Sequence, residues 1–285
     1  MAMINECGKE SMNPVNIIRY IKYRFKFHME HPDYMEADGL LIFVGPQGSG
    51  KTLSGVNYVY KLMEMYPKAI LVTNLLLTKY PVVTIDDYKE NKINEINDLI
   101  DLGHEKTEID YIMYTEYMTK NRVFPFNDND DFKKYENGEF GVIYFVDEIQ
   151  LYLNSLESKN INMEVVTEIS QQRKQRKHIV STSQVFGRMA KPLREQFSNV
   201  VMCRKYFGCV QRNSLIDRDS IETDSSADTQ IKGKVRRNFF WFHNPEEMYN
   251  RYDTYYKIIK GKFVAGEKQQ KEGMYNDGIK LSISN

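Results

Sequence analysis

The chain has 285 residues, of which 41% are hydrophobic, enough for one large domain or one domain with a small appendage. Lys+Arg and Asp+Glu are both 39, so net charge argues neither for nor against a polyanionic partner. Cys203 and Cys209 match no metal-ligand spacing, residues 1–15 are too polar for a signal peptide, and no apolar run approaches the ~18 residues of a membrane span, which together suit a reduced, cytoplasmic protein without an integral membrane segment.

In chain order, residues 14–30 place Ile17, Ile18, Ile21, Phe25 and Met29 on one helical stripe opposite Arg19, Lys22 and Lys26. This reads as a surface helix packed on the core, with a basic arm toward nucleic acid or a neighbouring subunit as the alternative. The wholly apolar run at 39–44 (GLLIFV) is a buried parallel strand, and Lys51–Met65 is a helix with Leu53, Val56, Val59, Tyr60 and Met63 apolar, stopped by Pro67. A second buried strand at 69–72 ends in Thr73-Asn74. Residues 86–102 hold a helix, and 121–138, rich in turn formers, read as an exposed loop within an acidic insertion at about 85–140. A third buried strand (VIYFV, Val142–Val146) precedes Asp147-Glu148. A helix over 163–177, a strand over 179–182, a short helix over 190–197 and a strand over 200–204 follow. Beyond 208, β pieces at 209–216, Val235–Phe242 and 254–259 flank a polar linker at 219–230.

Alternating strands and helices over 39–205 predict an α/β fold, a mainly parallel sheet with helices on both faces. The boundaries expected are an N-terminal helical segment at 1–38, a core at 39–207 and a small β-containing C-terminal extension at 208–285. Charge is unevenly spread. Residues 171–212 hold ten Lys/Arg against one acid, a net of +9, whereas 85–140 hold fifteen acids against seven Lys/Arg, a net of −8. The basic stretch suggests a surface facing a polyanion.

The chemistry is concentrated at Gly45-Pro46-Gln47-Gly48-Ser49-Gly50-Lys51-Thr52, the Walker A pattern, with Leu53 continuing into the helix. Small residues let the backbone curl so that several N–H groups face one anion, and the following helix adds its positive end. Lys51 then reaches the β and γ phosphates of ATP, and the Thr52 hydroxyl ligates Mg²⁺. Asp147, closing an apolar strand, is the Walker B carboxylate that holds Mg²⁺ through water, and Glu148 is the candidate to polarise the attacking water. Gln184 ends the next strand, where a polar side chain can touch the γ-phosphate or the water. Among the cations of the following segments, Arg173, Arg176 and Arg194 are candidates to enter a neighbouring subunit's site, and a solvated helix end is the plainer reading of QQRKQRK. Trp241, in FFWF beside Arg236 and Arg237, reads as edge-strand packing, with base stacking as the alternative.

The order GPQGSGKT, LVTN, FVDEIQ, QQRKQRKH, STSQ and PLREQ resembles the zonular occludens toxin (Zot)-like branch of the FtsK–HerA superfamily over about residues 39–207. That resemblance implies a RecA-like core in a homo-oligomeric ring, a hexamer by preference, with ATP between subunits. It implies Lys51 and Thr52 as phosphate and Mg²⁺ contacts, Asp147 and Glu148 as Walker B, and Gln184 as a polar sensor. It further implies an ATP-driven DNA translocase of viral genome-packaging type, working in the host cytoplasm with a capsid or portal partner. A filamentous-phage-type morphogenesis or export ATPase, acting on protein or membrane partners, is the alternative. Filamentous-phage members carry a transmembrane helix after the core, and the apolar run at 239–242 is far too short for one.

Overall fold

The computed structural model describes residues 14–36, 38–154, 162–217, 221, 233–242 and 250–253. Helix α1 (Pro14–Glu30) precedes β1 (Leu40–Val44), the phosphate loop and α2 (Lys51–Met65). Then come β2 (Ile70–Thr73), α3 (Ile85–Asn91), α4 (Ile93–Asp101), α5 (Lys106–Lys120), β3 (Val123–Pro125) and α6 (Asp131–Lys134). The second half runs β4 (Val142–Val146), α7 (Met163–Gln171), β5 (Lys177–Ser183), α8 (Lys191–Arg194), β6 (Phe197–Tyr206), β7 (Val210–Ile216) and β8 (Val235–Phe242).

The strands form one eight-stranded sheet in the order β3-β2-β4-β5-β1-β6-β7-β8. From β3 to β6 all neighbours are parallel, and β7 and β8 extend the sheet antiparallel. The fold is therefore the expected α/β, RecA-like core with a mainly parallel sheet. β5 lies between β1 and β4, so the phosphate loop and the Asp147-Glu148 pair leave the same sheet edge with Gln184 between them.

Both faces of the sheet are covered, as an apolar parallel sheet requires. Alternate side chains of β1, β2, β4 and β5 point to opposite sides. Leu41, Phe43, Leu71, Ile143, Phe145 and Val180 meet Val56, Val59, Tyr60 and Met63 of α2. Leu40, Ile42, Val72, Val142, Tyr144 and Ile179 meet Tyr117 of α5, Phe132 of α6 and Val165 and Ile169 of α7. Gly55 lets α2 lie close to the sheet, since a Cβ there would come 2.7 Å from the Phe145 ring.

Several sequence expectations are corrected. The segment 121–138 is not an exposed loop. It contributes β3 and buries Val123, Phe124, Phe126, Phe132 and Tyr135. Its polar residues serve the backbone that wraps these rings; the Asp131 carboxylate, for example, accepts from the Asn127 (2.7 Å) and Asp128 (3.3 Å) amides. The helix expected over 86–102 is broken at Lys92, whose φ/ψ of −110/20 leaves helical geometry, giving α3 and α4. Helix α5 was not expected at all.

The helix expected over 163–177 stops at Gln171. Residues 172–176 turn, Arg176 takes φ +54, and Lys177 opens β5. Lys177 is buried, donates to the Phe132 carbonyl at 2.9 Å and pairs with Glu168, so it is a core cation and not part of a solvated basic helix end. Helix α1 spans the expected residues, but Ile17, Ile18, Ile21, Phe25 and Met29 are exposed. It is held instead by the Arg24–Glu36 pair and by Phe27, whose ring stands edge-on to Tyr34 at 4.9 Å. The β piece expected at 254–259 lies outside the described residues. No helix among the described residues is long and apolar enough to cross a membrane.

Candidate active site

The loop 45–50 joins the C-terminal end of β1 to the N-terminus of α2. Gly50 takes φ +79, a conformation L side chains rarely adopt, and a Cβ there would meet the Gln211 amide at 2.1 Å. Ser49 and Lys51 are buried, and the Ser49 hydroxyl makes no hydrogen bond among the described residues, an orphaned donor in a loop shaped for anion oxygens. Pro46, Gln47 and Gly48 are exposed around the loop's rim, whereas Leu53 faces inward and anchors the first turn of α2 in the core.

The start of α2 and the end of β4 meet. Thr52 Oγ1 donates to Asp147 Oδ1 at 2.9 Å, and Thr182 Oγ1 on β5 donates to the same oxygen at 2.6 Å. Burial raises the Asp147 pKa to about 6, with the Thr182 hydrogen bond opposing it, the Glu148 charge adding to it, and Thr52 and Lys51 opposing it. Lys51 Nζ lies 3.1 Å from Glu148 Oε1. Gln184 Nε2 donates to that oxygen at 3.0 Å, and Gln150 donates to Glu148 Oε2.

Glu148 adopts φ 52 and ψ 50, left-handed for a non-glycine residue. Such strain, of order 1–3 kcal/mol, persists where surroundings over-determine it and clusters at functional sites. Here the Glu148 amide donates to Thr182 Oγ1 at 3.0 Å, so one hydroxyl fixes both acids.

Two further residues position the acids. Asn74, at the end of β2, accepts from the Asp147 amide at 2.8 Å and donates to the Asp147 carbonyl at 2.9 Å. Behind the loop, Gln211 of β7 donates to the Ser49 carbonyl at 3.0 Å, and Ser54 Oγ donates to Asn213 Oδ1 at 3.2 Å. Asn74 and Thr182 lie in the LVTN and STSQ strings; nothing in the local sequence pointed to Gln211 or Asn213.

The arginines are not brought together with this cluster. Arg173 and Arg176 sit in the turn before β5, at the opposite sheet edge from Gln184, about 20 Å away along a seven-residue strand. The Arg176 guanidinium stands 4.7 Å over the Tyr34 ring. Arg194 lines a cavity of about 200 Å³ with Phe186, Lys191, Phe197 and Val200, and its Nε makes no hydrogen bond among the described residues.

A larger cavity, of about 730 Å³, opens beside the loop and is lined by Pro46, Gln47, Gln184, Phe186, Arg204 and Tyr206 among others. The donor set of Thr52 and Asp147 fits Mg²⁺: two hard oxygens at one point, with the remaining positions left for water and phosphate oxygens. Among the described residues no cluster of three His, Cys, Asp or Glu suggests a different, all-protein metal site.

No protein-family model and no curated protein sequence matches the chain. Among solved structures it is similar to the N-terminal domain of zonular occludens toxin from Neisseria meningitidis, at 16% identity and a TM-score of 0.45 over 75% of this chain and 98% of that one. It is also similar to the genome packaging NTPase of Sulfolobus turreted icosahedral virus 2 in complex with ATP-gammaS, at 11% identity and a TM-score of 0.39, covering 58% of this chain and 74% of that one. A third is the DNA-packaging ATPase from Sulfolobus turreted icosahedral virus, at 14% identity and a TM-score of 0.37 over 59% of this chain and 76% of that one.

Proposed function

We propose that the chain is an ATP hydrolase that moves DNA, a Zot-like motor of the viral genome-packaging kind, working as a homo-oligomeric ring. The observation that carries the hydrolase reading is the meeting of Thr52 with Asp147 and of Lys51 with Glu148 at one sheet edge. In this reading the loop amides and Lys51 hold the β and γ phosphates, and Thr52 and Asp147 hold Mg²⁺. The bound Mg²⁺ supplies neutralisation of charge on the phosphate oxygens. Glu148 accepts a proton from the attacking water as the water oxygen bonds to Pγ and the bond to the β–γ bridging oxygen of ADP breaks. Gln150 and Gln184 aim the Glu148 carboxylate. Arg173, Arg176 and Arg194, which stand away from this cluster, are the candidates to enter a neighbouring subunit's site.

The DNA reading is supported by the basic excess of residues 171–212, which with the buried Lys177 set aside is nine Lys/Arg against Glu195, a net of +8. The test is ATP turnover with no DNA, single-stranded DNA and duplex DNA, at low and moderate salt, with Lys51→Ala as blank. Stimulation that salt weakens is expected; a rate indifferent to all DNA would sink the translocase reading while leaving the hydrolase.

A second reading, an assembly or export ATPase directed at a protein or membrane surface, is favoured by α1. Its exposed Ile17, Ile18, Ile21, Phe25 and Met29 oppose Arg19, Lys22 and Lys26, the pattern of an interfacial amphipathic helix. Co-sedimentation with anionic vesicles, lost on Ile21→Glu, would support it.

A further inference from the structure

Strands β6, β7 and β8 contain no Asp or Glu but carry Arg204, Lys205, Arg212, Arg236 and Arg237. Their pairing places Arg204 opposite Arg212 and Arg212 opposite Phe240. The next row is Tyr206, Val210 and Phe242. Directly opposed residues share a face, so two arginines and three aromatic rings lie side by side. Phe240 is 63% exposed and Phe242 79% exposed. Arg204 and Tyr206 are exposed as well. The Arg212 guanidinium stands 5.8 Å over the Phe240 ring and donates from Nε to Asn238 Oδ1 at 3.2 Å. At the tip, Phe207 takes φ +51 and is 94% exposed.

Rings this exposed are costly to leave in water, and acid-free strands favour an anionic occupant. A duplex keeps its bases stacked on one another; an unpaired strand offers ring faces and phosphates together. The face is continuous with the larger cavity, because Arg204 and Tyr206 also line it opposite Pro46, Gln47 and Gln184. The other side of β7 carries Gln211 and Asn213, which hold the phosphate loop and the start of α2. Consecutive residues of one strand thus touch the loop and the outer face.

We propose that the β6–β7–β8 face is a binding platform for single-stranded nucleic acid, with bases stacked on Tyr206, Phe240 and Phe242 and phosphates paired with Arg204 and Arg212. Its biological use rests on the DNA-motor reading above, but its test does not. The measurement is fluorescence anisotropy of labelled oligothymidylate and oligouridylate, and of a duplex, with the full chain over a salt series. Phe240→Ala and Phe242→Ala are each expected to weaken single-strand binding roughly tenfold or more. Arg212→Ala is expected to weaken it and to make the salt slope shallower by about one phosphate contact. Unfolding temperatures close to that of the parent protein check that the variants fold.

If the parent protein binds the oligomers and the variants bind equally well, the platform is overturned and the DNA reading stands. If duplex is preferred and the variants leave that preference unchanged, the platform is likewise overturned. If the variants alter only self-association by sedimentation, the face is a subunit contact and the proposal fails. If no nucleic acid binds the parent protein at all, both readings fall together.

Discussion

The Lys51 ammonium and the Glu148 carboxylate stand 3.1 Å apart, both largely shielded from water, with Gln184 donating to the same carboxylate oxygen and Gln150 to the other. Replacing Glu148 by Gln keeps the shape and the contacts to Thr182 but removes the proton acceptor. Glu148→Gln is expected to lower ATP turnover by about 10²–10⁴-fold, the range for a lost general base. Nucleotide binding should survive or tighten, because Lys51 loses a competing anion. Single-turnover rates and titration with a fluorescent nucleotide check both halves; unchanged turnover would remove Glu148 from the role.

Asp147 carries a pH signature. Its folded pKa, about 6, lies above the ordinary aspartate value of 3.8, so the fold binds the proton more tightly than the unfolded chain does. The stability this gives is fully present below the unfolded pKa and is lost as pH rises through about 6. Asp147→Asn, which cannot ionise, is expected to be more stable than the parent at pH 8 without Mg²⁺, by on the order of 2 kcal/mol. The gain should vanish toward pH 4. Thermal unfolding across pH measures it; a variant less stable at pH 8 would show that the carboxylate is not the strained partner.

Thr182 links both acids through one hydroxyl. Thr182→Val keeps the β-branched shape and removes that link, leaving the Glu148 amide without its acceptor. Turnover is expected to fall about 10–100-fold, while the substitution costs about 1–3 kcal/mol of stability. Thr182→Ser should recover most of the rate, an outcome a purely packing role would not give.

Gln211 is fully buried against the phosphate loop. Gln211→Ala removes the donor to the Ser49 carbonyl and opens space beside Gly50. The loop is expected to bind nucleotide several-fold more weakly, with KM for ATP rising more than kcat falls. Steady-state kinetics on the folded variant decides it; a loss confined to kcat would place Gln211 elsewhere in the cycle.

Much of the central sheet was legible in the sequence. The runs at β1 and β4, and at β2 as far as Val72, are apolar without interruption, because parallel strands covered on both sides have no solvent face to encode. The start of α2 was legible too, since the glycine-rich loop announces it. Helix α5 was not: Ile109, Met113 and Tyr117 form its buried stripe, but Tyr111 and Tyr114 put comparable apolar surface on its exposed side and blur the period. β3 hid among turn residues because three residues are too few to show alternation. Within the site, Lys51, Thr52, Asp147 and Glu148 announced themselves by local spacing. Gln211 stands 162 positions from Ser49, and only the antiparallel addition of β7 brings it there. Lys177 was misread because a cation's sequence neighbours say nothing about an interior carbonyl such as that of Phe132.

Strands β4 and β5 are buried at every position, and β1 between β5 and β6 is as well. Amide protons in such a ladder exchange with solvent only when the whole domain opens, whereas exposed helices such as α1 and α4 open on their own. The acids and the phosphate loop are therefore anchored to the slowest-exchanging part of the molecule. Fraying of the outer helices leaves the geometry of the candidate site standing, and heat inactivation should follow global melting, with no earlier, separate loss of the site.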